Sequence, residues 1–92
     1  MDYYAVSYVY RDDKESLDKI RPEHRAFLGS LSQMVASGPL PDTSPSHALL
    51  ILRGESAAEI EQALDADPFK LADLIAERHI EKWLPVIGVF AG

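Results

Sequence analysis

The stretch His47-Ala48-Leu49-Leu50-Ile51-Leu52-Arg53-Gly54 decides how the rest of the chain reads. Its five central residues are an unbroken apolar run, bounded by polar residues and closed by a glycine. A short continuous run of this kind predicts a buried strand. On its C-terminal side, Ser56 and Glu59 have the spacing of a capping box, which predicts a helix start. Ile60, Ala63 and Leu64 supply that helix with an apolar stripe. Asp67-Pro68 ends it, because a residue before proline disfavours helical geometry. A further short helix is expected over Pro68 to Leu74. Ile75 to Leu84 then reads as extended, with Ile80 and Trp83 as its core positions, and Pro85 to Gly92 is an apolar tail.

On the N-terminal side, Leu40 to Ser46 carries Pro41 and Pro45 among Asp, Ser and Thr, so it reads as a loop. A short strand is expected just before it, around Gly38 to Leu40. Phe27, Leu28, Leu31, Met34 and Val35 follow the helical period and predict a helix from Arg21 or Pro22 to Ser37. Pro22 suits a first helical turn, and Gly38-Pro39 suits a stop. Ser16 to Ile20 is expected to form a separate turn, after the charged connector Arg11 to Ser16. Tyr3 to Tyr10 reads as a strand, with Tyr4, Val6 and Tyr8 on one face. The resulting order is strand–helix–strand–strand–helix–strand. It predicts an α+β, ferredoxin-like βαββαβ antiparallel sheet with helices on one face.

The chain has 92 residues and reads as a single domain over 1–92. It is 47% hydrophobic and 26% charged, the balance of a globular protein rather than a disordered one. Its formal charge is −6 and no Lys/Arg cluster stands out, so a nucleic-acid partner is not expected. No apolar run approaches the ~20 residues that span a bilayer, so no membrane partner is expected. The chain has no cysteine, which excludes a disulfide, a thiolate nucleophile and a zinc-thiolate site. This fits a cytoplasmic location. The three histidines lack metal spacing and there is no Gly-rich phosphate loop, so no cofactor is expected.

Two polar residues occupy places where the pattern calls for apolar ones. His24 precedes Phe27, Leu28 and Leu31 by three, four and seven residues, so it belongs to the inner face of its helix. Asp67 follows Ala63 and Leu64 by four and three. An imidazole, whose ordinary pKa is ~6.5, gives or takes a proton near neutrality, and a carboxylate can orient it. Each residue also has a purely structural reading. His24 would then be a core-edge histidine bonded to a backbone carbonyl. Asp67 would be the N-cap of the helix that opens at Pro68. A capping Asp can still offer its second oxygen to an imidazole. Arg21, Arg53, Tyr4, Pro39 and Phe69 are the candidate substrate contacts. A cation at Arg21, near the expected helix start, opposes the dipole and is compatible with an anion site. Ser46-His47 reads as structural and His79 as exposed.

Arg21-x-x-His24-x-x-Phe27-Leu28, then Gly38-Pro39, then Asp67-Pro68-Phe69, closing near Trp83, resembles the YciI-like (YCII-related) family. The resemblance implies membership of the dimeric α+β barrel superfamily. It also implies an active site built on the His and Asp that match His24 and Asp67. The family is similar in fold to muconolactone isomerase, and one branch is a dehydrochlorinase acting on a chlorinated hydroxyquinol. The proline-rich loop after Pro39 departs from the usual pattern, as does the aromatic first strand. Both bear on pocket shape.

Three functions follow as expectations. The first is a small cofactor-independent enzyme, of lyase, isomerase or dehalogenase type, acting on a cyclic or aromatic metabolite. The second is a non-catalytic, dimeric small-molecule-binding or accessory domain. The third is a structural oligomerisation module. A sheet with helices on one face leaves the other open, so a homodimer or higher homo-oligomer is expected, with sheets packed face to face.

Overall fold

The structure is a computed structural model, and it describes residues 1–91; Gly92, the last residue of the expected domain and tail, lies outside them. The elements are β1 (Asp2–Tyr10), α1 (Lys14–Ser30), β2 (Met34–Leu40), β3 (His47–Gly54), α2 (Ala57–Leu64), α3 (Pro68–Leu71) and β4 (Ile75–Trp83). The four strands form one sheet in the order β2-β3-β1-β4, with every neighbouring pair antiparallel. This is the ferredoxin-like arrangement expected, with the decisive stretch as central strand β3.

Alternation sets the inner face. Tyr4, Val6, Tyr8 and Tyr10 of β1 and Ala48, Leu50 and Leu52 of β3 are buried beneath the helices. Leu17 and Leu28 come down from α1, Ile60 and Leu64 from α2, and Phe69 from α3. Burying a side chain such as Ile60 or Leu64 contributes roughly 1.5–3 kcal/mol. Ser56 caps α2 by accepting from the Glu59 amide at 3.1 Å. Glu59 reciprocates, its carboxylate accepting from the Glu55 amide at 2.7 Å. Ile80 and Trp83 are only half-buried rather than central to the core.

The first helix differs from expectation at both ends. It starts at Lys14, where Asp13 accepts from the Ser16 amide at 3.2 Å, so the expected turn over Ser16 to Ile20 is helix. Pro22 therefore lies inside the helix and not at its first turn. The helix stops at Ser30, and residues 34–40 are strand β2. Met34 and Val35 continue the helical spacing, but Met34 pairs with Leu52 of β3, Val35 falls at an irregularity in the register, and Gly38 pairs with Leu49 and Pro39 with Ala48. Proline is tolerated there because β2 is an edge strand.

Candidate active site

His24 is carried inward by the stripe it shares with Leu17 and Leu28 on α1, and it is 6% exposed. Asp67 is fully buried, at 0% exposure, on the turn between α2 and α3. The two residues are 43 positions apart in sequence, yet His24 Nδ1 lies 2.8 and 3.0 Å from the Asp67 carboxylate oxygens. A carboxylate only accepts, so Nδ1 carries the proton and donates it. The nitrogen left for a ligand is then Nε2.

Asp67 also performs the structural role considered for it. Its Oδ1 accepts from the Phe69 amide at 2.9 Å, capping α3, and its Oδ2 accepts from the Tyr8 hydroxyl at 3.4 Å. Three donors from three elements thus converge on one buried carboxylate, as a buried charge requires. The imidazole is further fixed by Phe69, whose ring stacks on it with centroids 4.0 Å apart and planes at 12°. Tyr10 meets Phe69 edge-on at 5.2 Å.

His24 opens onto a cleft of about 770 Å³ between α1 and the β2–β3 hairpin. Of the five candidate substrate contacts, Arg21, Pro39 and Phe69 line it. Arg21 is paired with Asp18 at the rim; Lys14 and Arg21 together hold the Asp18 carboxyl below its ordinary range. Two expected contacts lie elsewhere. Tyr4 shares the inner face of β1 with Tyr10 but is six residues, or about 20 Å, along the strand, inside the core. Arg53 falls on the outer face by alternation, its guanidinium 5.3 Å above the Tyr3 ring.

Tyr10, Arg25 and His47 also line the cleft and were not singled out as site residues. Tyr10 continues the two-residue alternation of Tyr4, Val6 and Tyr8, and Arg25 follows Arg21 by one helical turn. Both signals are visible in the sequence. Burial, and then the Asp67 charge, pushes the Tyr10 phenol up to about 12, with Arg21 and Arg25 pulling the other way. Burial chiefly, with Asp67 second, raises Tyr8 well beyond the usual phenol range. Both phenols are therefore neutral donors near neutral pH. Among the described residues, no group of three or more His, Cys, Asp or Glu is placed to hold a metal ion.

The YCII-related domain family matches residues 1–84. This chain belongs to the YCII-related family. Among solved structures, this YCII-related protein is similar to 5-chloro-2-hydroxyhydroquinone dehydrochlorinase from Burkholderia phenoliruptrix AC1100, solved in complex with 2,5-dihydroxybenzoquinone. The TM-score is 0.74 at 22% identity, covering 88% of this chain and 92% of that one. It is also similar to a NIPSNAP family protein from Agrobacterium tumefaciens strain C58 (TM-score 0.61, 20% identity, 97% and 94% covered). A structural-genomics protein from Agrobacterium tumefaciens gives a TM-score of 0.60 at 21% identity, with 99% and 97% covered. At these identities the likeness is one of fold. No curated protein matches the chain. Among the described residues, no helix is long and apolar enough to cross a membrane.

Proposed function

We propose that this YCII-related protein is a cofactor-independent enzyme that carries out acid–base chemistry on a small cyclic or aromatic metabolite. The observation that carries the reading is the buried His24–Asp67 contact at 2.8 Å beside an open cleft. His24 Nε2 takes a proton from a substrate carbon or hydroxyl. The electron pair left behind either forms a double bond and expels a leaving group, or is reprotonated by the same imidazolium at another atom. The first outcome is a lyase or dehalogenase reaction and the second an isomerase reaction. Asp67 orients the ring and stabilises the imidazolium. Tyr10, kept protonated, donates to a substrate oxygen. The cyclic quinone ligand of the similar dehydrochlorinase supports the substrate class.

The protein acts as a homodimer in this reading, with the open sheet face of one copy against that of the next. Leu49, on that face, is 43% exposed. Ala5, Ser7, Leu49, His79 and Glu81 form a shallow depression there.

The test is turnover of chlorinated hydroxyquinols, dihydroxybenzoquinones and enol-lactones by wild type, His24→Gln and Asp67→Asn. A loss of about 10²–10⁴ in kcat for His24→Gln, with the fold intact, is expected. Undiminished kcat in that variant overturns the assignment. Saturable binding without turnover in wild type favours the non-catalytic binding domain.

A further inference from the structure

We propose that the ligand of this cleft is an anion at neutral pH, a planar ring bearing a carboxylate or an acidic enol, and that Arg25 is its charge-recognising residue. The proposal rests on the reading of the cleft as a ligand site and adds the substrate's charge.

The chain has 15 acidic and 9 basic residues, so an average surface patch is negative. The cleft reverses that balance. Its charged lining is Arg21 and Arg25, joined by His24 and His47, and no Asp or Glu lines it among the described residues. The nearby carboxylate, Asp67, is fully buried behind the imidazole and already accepts from three donors.

The two arginines also differ in what holds them. Arg21 is engaged by Asp18 on the preceding turn of α1. Arg25 makes no ion pair among the described residues, although seven other ion pairs are formed. Arg21, His24, Arg25 and Leu28 fall at helical spacings of three and four, which places them along one stripe of α1. Like charges one turn apart weaken a helix, so this stripe gains nothing from its second arginine in the free protein. Both guanidinium groups act on the Tyr10 phenol, which lines the same cleft. A guanidinium offers a planar fork of donors suited to a carboxylate or enolate. The apolar walls, Leu28, Met34, Leu50 and Phe69, suit a ring.

The probes are benzoate and the neutral, isosteric benzamide, titrated into the whole chain and followed by NMR shifts of His24, Tyr10 and Arg25. Benzoate is expected to bind saturably in the cleft, at least tenfold more tightly than benzamide. Arg25→Gln should weaken benzoate at least fivefold and leave benzamide unchanged, and Arg25→Lys should recover part of the loss. Arg21→Gln should cost less than Arg25→Gln, because Asp18 already shares that guanidinium. Equal binding of the two probes overturns the proposal, as does an Arg25→Gln variant with undiminished benzoate affinity. Benzoate shifts confined to residues outside the cleft overturn it too. The acid–base reading fails separately. A protein that prefers benzoate but turns over no substrate loses that reading and keeps this one.

Discussion

At the scale of single residues, the centre of this protein is one carboxylate shared by three donors. Asp67 caps α3 through the Phe69 amide, receives the Tyr8 hydroxyl and holds the His24 imidazole. Its capping role and its dyad role are thus two uses of one buried group. The phenols around it make stability depend on alkaline pH. In the unfolded chain they ionise near pH 10, whereas in the fold Tyr10 keeps its proton to about 12 and Tyr8 to still higher pH. Above pH 10 the folded state therefore binds more protons than the unfolded state, and stability falls as pH rises. The contribution is fully present below pH 10. For Tyr10 it amounts to about 2–3 kcal/mol, lost progressively between pH 10 and 12. Urea midpoints from pH 8 to 12 should show this decline in wild type and a shallower one in Tyr10→Phe. Parallel curves would refute it.

At the scale of elements, the helices show where local rules hold and where they yield. α2 begins where its capping box predicts, and its close approach to β3 depends on Gly54. A Cβ at Gly54 would lie 3.0 Å from the Ile60 Cδ1 and 3.0 Å from the Glu59 carboxylate. Ile60 is fully buried and Glu59 is engaged with the Glu55 amide, so neither yields freely. Gly54→Ala should cost about 1–3 kcal/mol in chemical denaturation, since overpacking has that range. α1 runs through Pro22, eight residues past its first residue, where an N–H for the Asp18 carbonyl is missing. Pro22→Ala should stabilise the protein by about 1–2 kcal/mol, less than the full helix-interior penalty because the unfolded chain also gains freedom. An unchanged urea midpoint would mean that α1 has already relaxed around the proline.

At the scale of the molecule, the sheet has one face under helices and one open. Tyr3, Trp83 and Phe90 cluster at one end of the open face, with Tyr3 and Phe90 centroids 5.8 Å apart. The apolar side chains Leu49, Val86, Ile87 and Val89 remain exposed. Light scattering should give twice the 10.2 kDa chain mass. Leu49→Glu should halve it without loss of fold, because that side chain is already partly exposed in one copy. A wild-type mass of one chain would sink the face-to-face dimer.

The order of elements, the inner-face alternation of β1, the strand at β3 and the capping box of α2 were all legible in the sequence. So were His24 and Asp67 as inward polar residues. These are local properties, written in periods of 2 and 3.6 and in the backbone preferences of Ser, Asp and Pro. The tertiary structure alone decided the rest. Met34 and Val35 have helical spacing but belong to a strand paired with β3, because a ladder with a distant strand outweighs a weak local preference. Tyr4 and Arg53 left the cleft, and Tyr10 and Arg25 entered it, because position along a strand and the packing of α1 on the sheet are set by non-local contacts. Above all, the distance between His24 and Asp67 is not a sequence quantity. Only folding α1 and the α2–α3 turn onto one sheet brings two residues 43 positions apart to 2.8 Å.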